Sequence, residues 1–190
     1  RRIAARLASM GISVLRFDFT GLGHSAGEFA NTTFSSNAAD LVAAADYLET
    51  RGMAPSLLIR HSLGGAAVLK ARASIPSVRA VVTLGAPYDP DHVAHHFADA
   101  ISEINQDGVA EVSLGGRPFR ISKAFVDDIA QGALKPTIAD LKAALLILHA
   151  PLDETVGIDN ASQIFLTAKH PKSFVTLDDA DHLITRARDA

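Results

Sequence analysis

The sequence predicts an α/β fold, in which helices cover both faces of a mostly parallel sheet. Short apolar runs alternate with helical stretches along the chain, and these runs are apolar on both sides, as in strands buried inside a parallel sheet. The composition agrees with this interpretation, because 190 residues with 48% hydrophobic and 21% charged residues are typical of one globular domain.

The composition also argues against several classes of function. Eighteen basic and twenty-one acidic residues give a net charge of -3, so no basic excess favours nucleic-acid binding. The absence of cysteine excludes disulfides, thiolate zinc sites and cysteine nucleophiles. No apolar run approaches the roughly 20 residues that span a bilayer, and no signal-peptide core opens the chain. We therefore expect a cytoplasmic protein that binds neither nucleic acid nor membrane.

In the first half of the chain, apolar spacing and glycines predict the elements in order. These are a helix over 3–10, a strand over 12–19, a glycine-punctuated loop over 20–27, a helix over 37–49, a strand over 56–59 and a helix over 63–73. The chain starts inside a helix and stops in a polar, helix-compatible segment over 185–190. We therefore expect a fragment of a longer protein, with N-terminal strands of the sheet missing.

In the second half, strands are predicted over 79–84, 144–149 and 173–177, and the segment 88–141 interrupts this rhythm. It contains a polar helical stretch over 92–104 and two alternating runs around Gly115-Gly116, a pattern that predicts a hairpin. An insertion in an α/β sheet lies over the carboxyl ends of the strands, where ligands bind. We predict one domain over 1–190 with a cap at about 88–141.

The most specific motif is Leu-Leu-Ile-Arg-His-Ser-Leu-Gly-Gly at 57–65. A buried strand that turns through a serine into a glycine-rich helix is typical of a nucleophile elbow. The tight turn exposes Oγ of Ser62 above the sheet, and the backbone N–H of Leu63 would face a developing oxyanion.

A serine nucleophile requires a base, and the base requires an acid that orients it. Asp153 follows the strand over 144–149, and His182 follows the strand over 173–177. The chain order Ser62, Asp153, His182 is the order found in α/β-hydrolases. Asp89, which follows the strand over 79–84, is an alternative position for the acid.

These motifs resemble the α/β-hydrolase superfamily, and most closely its serine-aminopeptidase-like acyl hydrolases. The chain is also similar, over nearly its whole length, to the hydrolase half of bacterial proteins that join such a domain to an OsmC-type domain. The strings that carry the likeness are VLRFDFTGLG at 14–23, SLGGAAVL at 62–69, HAPLDETVGIDNA at 149–161 and HPKSF at 170–174. The resemblance implies that Ser62 is the nucleophile, His182 the general base and Asp153 its orienting acid. It also implies a fused OsmC-type domain in the full-length protein.

The sequence departs from this family's pattern in two places. Arg60 stands where the Gly-x-Ser-x-Gly motif has its first glycine, so we expect its bulk to displace the elbow. We also expect its guanidinium either to pair with a carboxylate or to reach solvent. The strand that carries the second oxyanion donor in relatives would lie upstream of Arg1.

Several histidines have alternative interpretations. His92, His95 and His96 could ligate a metal, since His92 and His96 are four residues apart, but a solvated cap helix is the preferred reading. His61 beside the predicted nucleophile is expected to be a structural ring pointing away from Oγ.

The sequence as a whole predicts a serine hydrolase that cleaves a small carboxylic ester or related acyl substrate without a metal or organic cofactor. The alternative is a catalytically impaired module, kept as a binding or partner domain because Arg60 replaces the elbow glycine.

Overall fold

The computed structural model describes residues 2–114 and 117–186. The helices are α1 (Arg2–Ser9), α2 (Phe34–Glu49), α3 (Leu63–Ala71), α4 (Ile101–Asp107), α5 (Lys123–Ala130), α6 (Lys135–Ala139) and α7 (Asp159–Thr167). The strands are β1 (Leu57–His61), β2 (Ala80–Leu84), β3 (Val109–Leu114), β4 (Arg117–Ser122), β5 (Ala144–His149) and β6 (Lys172–Thr176). Three 3₁₀ segments cover Phe29–Asn31, Arg72–Ser74 and Pro90–Ala100.

Four of these strands form the central sheet, in the order β1-β2-β5-β6, and every neighbouring pair is parallel. The predicted fold class is confirmed, since the chain is a parallel sheet with packed helices. All four carboxyl ends therefore lie at one edge, and the loops that follow β1, β2, β5 and β6 meet there.

Helix α3 packs on β1 and β2 of this sheet, and α2 packs against α3. Helix α2 begins after Thr33, whose side chain accepts from the Ser36 amide while Oγ of Ser36 accepts from the Thr33 amide. Helix α3 buries a run of small and aliphatic residues, which allows the helix to approach the sheet closely: Gly65, Ala66, Ala67, Val68 and Leu69.

The predicted strand over 12–19 is wrong. The segment is not assigned as a strand, and it pairs with no strand in the described part of the chain. A strand is defined by its ladder of hydrogen bonds to a neighbour, so apolar alternation alone cannot create one. The segment instead contributes Phe19 to the core, while Val14 and Leu15 are exposed.

The segment 88–141 contains the 3₁₀ segment Pro90–Ala100, α4, an antiparallel hairpin of β3 and β4, then α5 and α6. The hairpin forms its own two-stranded sheet, separate from the central one. Phe119 of β4 contacts Phe29 with a ring separation of 5.3 Å, which joins the hairpin to the 3₁₀ segment before α2. The predicted Gly115-Gly116 turn and residues 187–190 of the helix-compatible terminal segment lie outside the described residues, and 185–186 are not helical.

Among the residues that the structure describes, no helix is long and apolar enough to cross a membrane.

A polar contact joins this inserted segment to the first turn of α2. Asp128 of α5 accepts hydrogen bonds from the backbone N and from Oγ of Ser35, both at 2.6 Å. Lys70 of α3 donates to the same hydroxyl at 2.8 Å. The carboxylate therefore satisfies an amide that the helix cannot use and places a negative charge at the positive end of α2.

We expect Asp128→Ala to lower the free energy of unfolding by about 1 to 2 kcal/mol, because the substitution removes both the cap and the charge. Asp127→Ala is the matched control, since Asp127 forms an exposed pair with Lys123, and it should cost less than about 0.5 kcal/mol. Urea unfolding of the two variants measures the difference. Equal stability of both variants would show that the Asp128–Ser35 contact contributes nothing.

Candidate active site

Ser62 occupies a sharp turn between β1 and α3. Its backbone angles are φ 55° and ψ −134°, in a region that residues other than glycine rarely adopt. The Ser62 amide donates to the Leu84 carbonyl of β2 at 2.8 Å, and the Ser62 carbonyl accepts from the Gly65 amide at 2.7 Å. These bonds hold a strained conformation that places the side chain at the carboxyl edge of the sheet.

Two glycines make the close packing around this turn possible. A Cβ on Gly65 would lie 2.6 Å from Cβ of Ala86, so only glycine allows α3 to pass the loop after β2. A Cβ on Gly85, which has φ +53°, would lie 3.3 Å from Oδ2 of Asp153 and from Nδ1 of His182. Sequence reasoning missed Gly85, although its position directly after β2 was a usable signal.

The structure brings the three predicted side chains together. Nε2 of His182 lies 3.0 Å from Oγ of Ser62, and Nδ1 of His182 lies 2.7 Å from Oδ2 of Asp153. Because a carboxylate can only accept, Nδ1 donates to Asp153, and Nε2 is left to accept the hydroxyl proton of Ser62. This is the arrangement that makes a serine hydroxyl nucleophilic.

The loop after β5 holds Asp153 in a buried position. Its Oδ1 accepts from the amides of Thr155 and Val156 at 2.9 Å and 2.8 Å. His149, which is 1% exposed, donates from Nε2 to the Val156 carbonyl at 2.7 Å, and Nδ1 is buried with no hydrogen-bond partner among the described residues. His149 therefore fixes the loop that carries the acid, a contact that the sequence did not indicate.

Leu63 is the first residue of α3, so the helix does not use its backbone N–H. It follows Ser62 directly, and this is where the sequence placed the oxyanion donor. The positive end of the helix dipole adds to the attraction for negative charge at this position.

The prediction that Arg60 displaces the elbow is wrong, because Oγ of Ser62 remains 3.0 Å from Nε2 of His182. The Arg60 guanidinium forms no ion pair with a carboxylate among the described residues, and the residue is only partly buried. Cζ lies 4.7 Å and 4.2 Å from the ring centres of Phe17 and Phe19, which is cation–π distance. The aliphatic stem runs over Gly64, since a Cβ there would lie 3.5 Å from Cβ of Arg60.

The environment of Arg60 is only partly polar. Nη2 is buried and has no hydrogen-bond partner in the described part of the chain. Burial lowers the pKa of Arg60 below its ordinary value, although the charges of Asp18 and Asp40 act in the opposite direction. The faces of Phe17 and Phe19 therefore supply cation–π contacts to a guanidinium that is partly buried.

His61 makes a contact that sequence reasoning did not predict. Its Nε2 lies 2.6 Å from the backbone carbonyl of His182, and the two imidazole rings are 4.6 Å apart. The ring touches the backbone of the residue predicted to be the general base, and its structural role stays a prediction.

The other candidates lie elsewhere. Asp89 precedes the 3₁₀ segment Pro90–Ala100, while the His182–Asp153 contact occupies the position of the acid. His92 and His96 both direct Nε2 towards the Thr155 carbonyl, at 3.4 Å and 3.1 Å. No group of three or more metal-ligating side chains is found among the described residues. The inserted segment thus contacts the loop of Asp153.

The chain is similar to known hydrolases. The model of a hydrolase family described as serine aminopeptidase S33 matches residues 1–119. No match was found among curated proteins.

Solved structures give a broader likeness. The chain is 42% identical to the esterase domain of a Rhodothermus marinus protein, with a TM-score of 0.78, over 99% of this chain and 73% of that one. It is 23% identical to mouse alpha/beta hydrolase domain-containing protein 10, with a TM-score of 0.77, over 99% and 77% of the two chains. It is 20% identical to Est1E from Butyrivibrio proteoclasticus, solved with ferulic acid, with a TM-score of 0.77, over 98% and 75%.

Gly65→Ala should be far more damaging than Gly64→Ala. The first substitution places a Cβ 2.6 Å from Ala86, whereas the second meets only the Arg60 stem at 3.5 Å, an ordinary contact. We expect Gly65→Ala to lower the free energy of unfolding by about 1 to 3 kcal/mol. Gly64→Ala should leave it unchanged or raise it by at most about 1 kcal/mol, since alanine favours the helix. Urea unfolding tests this, and a harmless Gly65→Ala would contradict the packing argument.

The stability of the protein should depend on the protonation of His61. Burial first, and the neighbouring His182 ring second, lower the pKa of His61 below its ordinary value of 6.5; His149 also lowers it, while the His182 carbonyl and Asp153 oppose the shift. The unfolded chain therefore binds a proton at His61 more readily than the folded chain. The contribution of neutral His61 to the free energy of unfolding is fully present above pH 6.5 and is lost as the pH falls below that value.

The measurement compares wild type with His61→Gln, which cannot titrate, by urea unfolding between about pH 8 and about pH 5. The stability of wild type relative to the variant should fall as the pH falls, by at most about 1.4 kcal/mol per pH unit. Parallel curves for the two proteins would mean that His61 titrates alike in the folded and unfolded states.

Proposed function

The chain belongs to the serine aminopeptidase S33 family of α/β-hydrolases, and we propose that it cleaves a carboxylic ester or related acyl bond through an acyl-Ser62 intermediate. The observation that carries the proposal is the position of His182, whose two ring nitrogens contact Ser62 and Asp153. The esterase domain that is 42% identical supports ester cleavage in particular. Fold alone would not support it, because one fold serves many reactions.

In the first half of the proposed reaction, Oγ of Ser62 attacks the carbonyl carbon of the substrate while its proton passes to Nε2 of His182. The carbonyl π electrons move to oxygen, and the Leu63 N–H donates to this oxyanion. The oxyanion then collapses, the bond to the leaving alcohol breaks, and the imidazolium of His182 returns the proton to that alcohol. The product of this half is an ester of Ser62.

In the second half, water replaces the alcohol. His182 takes a proton from the water, and the resulting hydroxide attacks the acyl carbon as the Leu63 N–H again donates to the oxygen. Collapse releases the carboxylic acid and returns the proton to Ser62. Asp153 stays ionised throughout and stabilises the imidazolium in both halves.

We propose that the segment 88–141 acts as a cap at this edge of the sheet. Its support is the pair of contacts from His92 and His96 to the Thr155 carbonyl, two residues beyond Asp153. A cap so placed would limit the size of the acyl group, while the fused OsmC-type domain stays a prediction from the sequence.

The impaired-module alternative depended on Arg60 displacing Ser62. The Ser62–His182 distance of 3.0 Å with Arg60 in place removes that support. The guanidinium lies against Phe17 and Phe19, rather than between Ser62 and His182. We therefore favour the enzyme.

A fluorophosphonate probe, which reacts only with an activated serine, tests the proposal directly. Wild type should be labelled at Ser62 and should hydrolyse a short p-nitrophenyl ester. Ser62→Ala should lose labelling and lower kcat by at least about a thousandfold, because the nucleophile is gone. Ser162→Ala, in α7, is the matched serine control and should behave as wild type.

The same probe distinguishes an active enzyme from a module that Arg60 impairs. Arg60→Gly should acylate within about threefold of wild type, because the elbow is already in position. A rise of about tenfold or more would support the impaired module. A folded wild type that is not labelled at Ser62 would contradict the proposed function itself.

A further inference from the structure

The backbone of His182, as well as its side chain, is fixed by a ring from the central sheet. Nε2 of His61 lies 2.6 Å from the His182 carbonyl, and since a carbonyl only accepts, Nε2 carries the proton and donates. His61 is the last residue of β1 and directly precedes Ser62. One strand therefore positions both Oγ of Ser62 and the main chain of His182.

The loop that carries His182, residues 177–186, contains no helix or strand, and Ala180 within it is buried. Its described backbone contacts include Leu177 N to the His149 carbonyl at 2.9 Å, at the start of the loop. Other bonds lie within the loop, such as Asp181 with Thr185, or reach the exposed side chain of Arg2, and the His182 ring itself contacts Asp153 and Ser62.

Backbone strain increases the need for an anchor in this loop. Asp179 and Ile184 have φ angles of 62° and 51°, and a positive φ is costly for a β-branched residue such as Ile184. Strained conformations persist only when their surroundings hold them in place. The His182 carbonyl lies between these two residues, and His61 is the group on the sheet that holds it.

We propose that His61 is a positioning residue, which sets the distance from His182 to Ser62 by donating Nε2–H to the His182 carbonyl. The inference rests on the proposed function, because it requires His182 to be the base for Ser62. In this role His61 acts on the reaction through the backbone of His182. Loss of its hydrogen bond would release the loop while leaving all three proposed catalytic side chains present.

The chemistry of the ring predicts which substitutions keep this role. Glutamine carries an amide nitrogen three bonds from Cβ, at the place of Nε2, so His61→Gln can still donate to the carbonyl. Asparagine carries its amide nitrogen two bonds from Cβ, at the place of Nδ1, so His61→Asn places a donor where it cannot reach. Phenylalanine retains a ring at 4.6 Å from His182 but has no donor, so His61→Phe separates ring packing from hydrogen bonding.

The experiment measures kcat and KM on a short p-nitrophenyl ester and the rate of fluorophosphonate labelling for all three variants. His61→Phe and His61→Asn should lower kcat and the labelling rate by about tenfold to a hundredfold, since an error of about 1 Å in position costs that much. KM should change by less than about twofold, and His61→Gln should remain within about threefold of wild type. Urea unfolding shows whether each variant is folded. If either His61→Phe or His61→Asn does not fold, the other one is compared with His61→Gln.

Two outcomes would overturn the proposal. Wild-type kcat in His61→Phe would show that the hydrogen bond is unnecessary, and equal losses in folded His61→Gln and His61→Phe would show that the donor is not the cause. Ser62→Ala separates these failures from failure of the proposed function. If Ser62→Ala retains full activity, the proposed function is wrong; if Ser62→Ala is inactive and His61→Phe is active, only the role of His61 is wrong.

Discussion

The sharp turn at Ser62 is the constraint on which the rest of the site depends. A serine held at φ 55° needs support, and the amide bond to Leu84, the packing of Gly65 against Ala86 and the start of α3 provide it. At the same edge, a Cβ on Gly85 would lie 3.3 Å from Oδ2 of Asp153 and from Nδ1 of His182, so a side chain there would crowd both groups. The close packing of α3 against the loop after β2 thus stabilises the strained backbone of Ser62.

Around Asp153, buried charge is matched by donors rather than by a positive side chain. Oδ1 accepts from two backbone amides and Oδ2 from His182, so a carboxylate that is 6% exposed accepts three hydrogen bonds. His61 and His149 each donate to a backbone carbonyl of a loop that carries a triad side chain. Two histidines thereby hold the acid and base loops against the sheet.

The fold accommodates Arg60 at the position where the Gly-x-Ser-x-Gly motif has its first glycine. The stem uses the space above Gly64, and the guanidinium lies against the faces of Phe17 and Phe19. Both phenylalanines belong to the segment 12–19, which pairs with no strand in the described part of the chain. Aromatic contact to Arg60 is therefore one of the interactions that hold this extended segment beside β1.

The sequence by itself determined the parallel α/β sheet, the elbow at Ser62 and the strand-end positions of Asp153 and His182, because apolar runs and glycine turns are local patterns. Tertiary structure decided what depends on partners distant in the chain. The segment 12–19 lacked a hydrogen-bonding neighbour, Arg60 found two aromatic rings, and His61 met a carbonyl 121 positions away. Pairing and close approach are properties of the packed chain, so periodicity could not reveal them.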